Sequence, residues 1–370
     1  MSHLFLPFNL RDLAISNRIA VSPMCQYYAD NGKATAWHQA HLGGLANSGA
    51  GMLFIEATAV EPAGRITPGD LGLWDDETEQ SLASIVTGIR SFSNTKLILQ
   101  LGHAGRKASS HTPWEGGQLI APEDGGWITY APSAVAHKPG ESSPVALDEE
   151  GLERIRVAFV ESALRAVRMG VDGLELHAAH GYLLHEFLSP ISNHRDDAYG
   201  GTDANRMRFP LEVFDAVRAA IPSGMPLGVK VTGSDWVEGG IDIEQTIRFA
   251  SELKQRGVDW ISVSSGGISP LQKIAVGPGY QVPFAQQVKN ATGLTTIAVG
   301  LITEPEQAEE VIASGQADFV ALARAMLYNP RWGWHAAQKL NASVDAAPPY
   351  WRAPPAGQER IFNHTKFGAR

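Results

Sequence analysis

His177 and His180 stand three residues apart, and Tyr182 follows two residues later, in the run His177-Ala178-Ala179-His180-Gly181-Tyr182. Two readings of the histidine pair are open. As metal ligands they need a third and fourth partner from Cys, His, Asp or Glu, and Glu56 and His103 have the right side chains. As neutral N–H donors they form an oxyanion hole made of side chains, holding a substrate oxygen while charge grows on it. The Tyr182 phenol can deliver a proton to a developing carbanion, and the plain alternative is an aromatic ring packed at a helix start. Cys25 is the sole thiol, in Ser22-Pro23-Met24-Cys25-Gln26-Tyr27. Cysteine is commonly a small buried apolar residue. As a nucleophile it needs a base beside it, and His177 or His180 could serve. Gly300 and Arg324 have the types expected of a phosphate site, since glycine lets backbone N–H groups approach and arginine offers a planar fork. A tight turn and a surface arginine would look the same.

The elements around these residues give them a common place. Short β-branched runs recur at Arg18–Val21, Met52–Ala57, Lys96–Leu101, Gly173–His177, Pro226–Val231, Trp260–Ser264, Thr296–Val299 and Phe319–Leu322. Amphipathic stretches separate them, at Asp75–Arg90, Leu152–Met169, Leu211–Ala220, Ile243–Gln255 and Pro305–Ser314, with Gly170, Gly257 and Gly315 at helix ends. Alternation of this kind implies parallel strands with helices outside, and eight such units imply a closed α/β barrel of the (β/α)8 TIM type. Barrel enzymes carry their sites at the C-terminal strand ends, and phosphate often binds after strands seven and eight. Ser22, Ala57, Gln100, His177, Lys230, Gly266, Gly300 and Ala323–Arg324 all fall at or beside such ends. We expect one domain over residues 1–370. The Gly-, Pro- and Trp-rich insertion 104–144 would be a cap over the mouth, as a lid or with its own hairpin. The Pro- and aromatic-rich segment 346–370 would be a loose end or an arm on a partner subunit.

Composition narrows the function classes. The chain has 370 residues, 44% hydrophobic and 19% charged, with net charge −9, which is ordinary globular composition. No Lys/Arg-rich run offsets the acidity, so neither a nucleic acid nor an anionic membrane is an expected partner. No apolar stretch reaches the roughly 18 residues of a membrane helix, and MSHLFLPFNLRDL lacks the pattern of a signal peptide. One cysteine excludes an internal disulfide, and a cytoplasmic location is expected.

Five motifs then carry a resemblance. Ser22–Tyr27, His103-Ala104-Gly105-Arg106-Lys107-Ala108, His177–Leu183, Phe187-Leu188-Ser189-Pro190 and Tyr199-Gly200-Gly201 resemble the old yellow enzyme family, in its short bacterial YqjM-like and xenobiotic-reductase-like branch. The likeness runs from Leu4 to Arg352. It implies tightly bound, non-covalent FMN and an NADPH dehydrogenase or ene-reductase with a two-step, ping-pong cycle. NADPH or NADH gives a hydride to the flavin and leaves, and an α,β-unsaturated carbonyl compound then takes it at the β-carbon. Carried over residue by residue, His177 and His180 hold the carbonyl oxygen and Tyr182 protonates the α-carbon. Cys25 tunes the flavin and Tyr27 touches substrate. Ser22, Pro23, Met24, Ala57, Gln100, Lys230 and Gly266 line the flavin, while Gly300, Ala323 and Arg324 hold its phosphate. Arg352, behind Tyr350-Trp351, reaches across the interface of a homodimer or homotetramer. The chain departs from the branch where Lys230 replaces arginine and Ala323 replaces a frequent glycine. The competing readings are a metal-dependent barrel hydrolase using His177 and His180, and a flavin binder without turnover.

Overall fold

A computed structural model describes residues 2–365. The strands of the barrel are β3 (Ile19–Val21), β4 (Met52–Ala59), β5 (Lys96–Gly102), β8 (Gly173–Ala178), β9 (Leu227–Thr232), β10 (Trp260–Ser264), β11 (Thr296–Ala298) and β12 (Phe319–Leu322). They are all parallel and close through β12 against β3, in chain order around the ring. The expected (β/α)8 barrel is therefore the fold. Apolar side chains fill it because both strand faces are covered, one by the barrel interior and one by helices.

The helices are α1 (Ala36–Leu45), α2 (Asp76–Arg90), α3 (Glu149–Met169), α4 (Leu183–Leu188), α5 (Asp203–Ala220), α6 (Ile243–Gln255), α7 (Val282–Thr292), α8 (Pro305–Ala313), α9 (Arg324–Tyr328) and α10 (Trp332–Lys339). Asp75, Asp148, Thr202 and Asp242 cap α2, α3, α5 and α6 by accepting a first-turn backbone N–H. Gly170 ends α3 in the left-handed region at φ 78°, where any other residue would be strained. On α6 the buried stripe is Thr246, Phe249, Ala250 and Leu253. Burying Phe249 and Leu253 stabilises the contact by roughly 1.5–3 kcal/mol each.

One feature lay outside the sequence expectations. A hairpin of β1 (Phe8–Leu10) and β2 (Leu13–Ile15) plugs the N-terminal end of the barrel. Its Leu10, Leu13 and Ile15 pack with Met52, Phe54, Trp260 and Phe319 in a core separate from the main one. The insertion carries one antiparallel bridge of its own, Ser110 to Leu119. It also contains three short 3₁₀ turns, and its β6 (Tyr130–Ala131) pairs in parallel with β7 (Val145–Ala146), just beyond it. Arg106 donates to Ile268 O at 2.7 Å, and the Trp127 indole to Ala63 O at 3.0 Å. These bonds tie the insertion to loops after two other strands.

The tail is not a loose end through residue 365. Ile361 and Phe362 pack with Trp334, Ala337 and Val344, and Tyr350 stacks edge-on to Trp334 at 5.4 Å. The remainder of the expected 346–370 arm, residues 366–370, lies outside the described residues.

Candidate active site at the barrel mouth

β8 delivers His177 to the mouth, and the chain then turns through left-handed His180 (φ 60°) and Gly181 (φ 74°). Tyr182 caps α4. The His177 ring lies 5.1 Å from His180 and 4.9 Å from Tyr182, edge-to-face in both cases. Burial holds both imidazoles well below their ordinary pKa, and the Lys230 charge adds to this. They are neutral rings. The Ala179 N–H donates to His177 Nδ1 at 3.2 Å, so the ring proton sits on Nε2 as a donor. His180 Nε2 lies 2.7 Å from Ser264 Oγ. The one proton of that hydroxyl goes either to Gln281 Oε1 at 3.2 Å, leaving His180 Nε2 as the donor, or to His180, leaving the ring proton on Nδ1. Burial pushes the Tyr182 phenol well above its ordinary value, with smaller effects from Cys25 and Tyr27. It therefore keeps its proton until a strong base forms beside it.

Lys230 stands opposite His177 in the β8–β9 register and is buried at 5% exposure. Burial lowers its pKa, while the Glu175 carboxylate opposes that. Glu175 is fully buried on β8. It accepts Gln100 Nε2 at 2.7 Å, the Trp260 indole N–H at 3.0 Å and the Ser262 hydroxyl. The carboxylate thus orients the Gln100 amide and sustains a cation beside it.

One cleft of about 220 Å³ gathers Ser22, Pro23, His180 and Lys230 with the expected phosphate residues Gly300, Ala323 and Arg324. Gly300 has φ 117°, and a Cβ there would press Gln281 at 3.0 Å, so only glycine fits this turn without strain. Arg324 is exposed at the cleft edge, and Tyr280 lines it too. A buried cation at one end and a glycine turn with an arginine at the other suit a flat ring carrying a phosphorylated tail. These residues fit FMN. Ala57, His177 and Tyr182 border a separate hole of about 10 Å³, shared with His103 and Asp70. Burial lifts the Asp70 carboxyl to about 7.

Cys25 is partly exposed and its neighbour Tyr27 is left-handed at φ 58°. Burial raises the thiol pKa well above the ordinary value, and Asp70 and Glu56 raise it further. A thiolate nucleophile is disfavoured there. Met24 packs on the main core and its carbonyl accepts the Gln26 side chain.

One expectation needs correction. Glu56 and His103 are not available as metal ligands beside His177 and His180. Glu56 faces His38 and accepts the Gln26 N–H, while His103 is engaged with Glu61 and the Gly105 N–H. Among the described residues no group of three His, Cys, Asp or Glu is arranged to hold a metal ion. Gly266, beyond β10, donates its N–H to Ser234 O at 2.8 Å. Arg352, expected in the site of a neighbouring subunit, does not border its own chain's cleft. Trp351 before it borders a groove with Ala50 and Lys96, at the strands' N-terminal ends.

Lys107 was not singled out by its sequence. It donates to His180 O at 2.7 Å and Gly267 O at 3.0 Å, and lies 5.0 Å over the Tyr182 ring. Burial lowers its pKa to about 8. A lysine inside His103-Ala104-Gly105-Arg106-Lys107-Ala108, among small residues at a strand end, was the available signal.

The profile of the NADH:flavin oxidoreductase / NADH oxidase family matches residues 3–343. An NADH:flavin oxidoreductase of Gibberella zeae is 44% identical over 361 residues, covering 93% of this chain and 87% of that protein. An NADPH dehydrogenase of Listeria innocua is 40% identical over 355 residues, covering 95% and 99%. Among solved structures, morphinone reductase superposes with a TM-score of 0.77 at 26% identity, covering 99% of both chains. Among the described residues no helix is long and apolar enough to cross a membrane.

Proposed function

The chain belongs to the NADH:flavin oxidoreductase / NADH oxidase family, an FMN oxidoreductase with NAD(P)H as donor, and on that premise we propose that it is an ene-reductase. Its substrates are α,β-unsaturated carbonyl compounds, reduced at the activated C=C bond in a ping-pong cycle. The observation that carries this reading is the convergence of two neutral imidazoles and a fully protonated phenol beside the Lys230 cleft. Bound FMN supplies the hydride chemistry. His177 and His180 hold the carbonyl oxygen and stabilise its growing negative charge. Tyr182 gives its proton to the α-carbon. Tyr27, edge-on to Trp114 of the cap at 5.7 Å, walls the substrate side. Ser22, Pro23, Ala57, Gln100 and Lys230 line the ring, and Gly300, Ala323 and Arg324 hold the phosphate.

The test is anaerobic. The purified yellow protein should bleach with NADPH and regain its colour with cyclohexenone. Bleaching without recovery would leave a flavin reductase with another acceptor, and no bleaching an inert flavin binder.

Lys230 supplies the cation beside the flavin pyrimidine. Its lysine keeps the charge that an arginine would bring and loses the second parallel hydrogen bond. Reduction adds negative charge to that ring. Losing a charge-assisted hydrogen bond of roughly 1.5–3 kcal/mol corresponds to about 30–60 mV for two electrons. Lys230→Met should lower the midpoint potential by that order, and Lys230→Arg should leave it near the parental value. Dye-coupled reductive titration reads both. A Lys230→Met potential equal to the parent's would assign the cation to another residue.

Arg352 belongs, on this reading, to the site of a neighbouring subunit in a homodimer or homotetramer. Its own mouth lies at the opposite end of the barrel. Deleting the tail would also strip Tyr350 and Phe362 from Trp334, so the point change is the cleaner test. Arg352→Ala should raise KM for the enone and leave kcat nearly unchanged. Parental KM in an oligomeric Arg352→Ala protein would remove the arm from the site.

A further inference from the structure

Three histidines behind the mouth, His38, His103 and His185, have fully buried side chains. They share one wiring. A backbone N–H donates to Nδ1, and a carboxylate faces Nε2. His38 accepts the Thr35 N–H at 3.0 Å and faces Glu56 at 3.2 Å. His103 accepts the Gly105 N–H at 3.0 Å and meets Glu61 at 3.0 Å. His185 accepts the Gly181 N–H at 2.8 Å, and Asp235 Oδ1 lies 2.9 Å from its Nε2. Accepting at Nδ1 places the ring proton on Nε2; Glu61 bonds it at His103, while at His38 and His185 the carboxylate lies close but off the N–H line. The backbone bond at Nδ1, with a carboxylate against the other edge of the ring, suits such a histidine to brace a loop.

The His185 brace bears on the chemistry most directly. Gly181 stands between His180 and Tyr182, and both His180 and Gly181 are left-handed. That conformation is disfavoured for histidine, so the turn must be held from outside. Lys107 holds the His180 carbonyl at 2.7 Å, and the Thr232 hydroxyl accepts the His180 N–H at 3.2 Å. The next amide, that of Gly181, goes to His185. A Cβ on Gly181 would lie 2.2 Å from Gly267 O, so the turn has no room on that side. Asp235 is itself anchored, accepting the Ser189 hydroxyl and the Ile241 N–H, both at 2.8 Å. The brace therefore runs from the loop after β9, through Asp235 and α4, to the turn.

We propose that His185, held by Asp235, is a positioning residue that aims the His180 donor and the Tyr182 acid at one substrate through the Gly181 amide. This rests on the ene-reductase reading for its catalytic consequence, but not for its geometry. His185→Leu keeps bulk and removes the acceptor. His185→Gln keeps one acceptor and one donor.

In FMN-loaded protein, His185→Leu should weaken phenolate binding and slow the oxidative half-reaction roughly 10- to 100-fold, as a re-aimed donor and acid would. Flavin content should be retained, and His185→Gln should recover most of the loss. ¹⁵N spectra of the parental histidines should show His185 neutral with its proton on Nε2, and the Gly181 amide should exchange faster in His185→Leu than in the parent. If His185→Leu yields no folded protein, Asp235→Asn should show the same losses more mildly.

Parental phenolate affinity and turnover in a folded His185→Leu or Asp235→Asn protein would overturn the proposal. So would equal damage in the Leu and Gln variants with parallel loss of FMN, since that marks a merely structural residue. A parental protein inactive on enones would sink the functional reading instead. The tautomer and the Gly181 exchange rate would still decide the brace.

Discussion

Tyr182→Phe should slow reoxidation by enones about 10²–10⁴-fold, the usual cost of a lost general acid, while reduction by NADPH stays close to parental. The phenol is needed only once negative charge reaches the α-carbon, so the two half-reactions must part company. Burial keeps the phenol protonated far above neutrality. Its protonation state should therefore add no inflection to the oxidative rate between mildly acidic and mildly alkaline pH. The Lys107 ammonium over the ring stabilises the phenolate left behind, easing the transfer. Its pKa of about 8 places the one expected decline on the alkaline side, where that ammonium loses its proton. Stopped-flow measurement of each half-reaction separately checks this. Equal slowing of both would move Tyr182 from proton donor to general packing.

Much of this site could be read from the sequence because its residues are carried on strands with strong patterns. β6 aside, short β-branched runs such as Trp260–Ser264 and Phe319–Leu322 recur with helix-length spacing, and their ends name the mouth residues without any knowledge of contacts. The barrel N-terminal plug escaped notice because β1 and β2 have three residues each, too few for alternation to stand out.

The buried carboxylates were harder still. Glu175 lies in an apolar strand, and its partners Trp260 and Gln100 are 85 and 75 residues away. An acid in such a strand must be paired, since leaving its charge alone costs far too much. That requirement announces a network without identifying its members. Glu56 and His103 illustrate the converse. Their types suited a metal site, but Glu56 accepts the Gln26 N–H beside His38, and both His103 nitrogens are taken, by Glu61 and the Gly105 N–H.

Replacing His177 and His180 together by alanine should weaken phenolate ligands by at least ~10²-fold and cut enone turnover by ~10²–10³-fold or more, the loss expected for an oxyanion donor. FMN should remain bound, because Lys230, Gly300 and Arg324 are untouched and only His180 borders the same cleft. The neutral state of the pair sets a second expectation. Both folded pKa values are depressed by burial and Lys230. The rings stay uncharged as pH falls through the ordinary histidine range. Phenolate affinity should then follow the ligand's own ionisation, with no inflection from the protein near pH 6.5. The same depression has a stability consequence. Neutral burial favours the fold above the unfolded-state histidine pKa, and this contribution is lost as pH falls below it toward the folded values. The double variant should therefore lose less stability on acidification than the parent. Calorimetry across that range measures the difference, and optical titration with a phenol measures the affinity. A double variant that binds phenolates as tightly as the parent would show that the oxygen is held elsewhere.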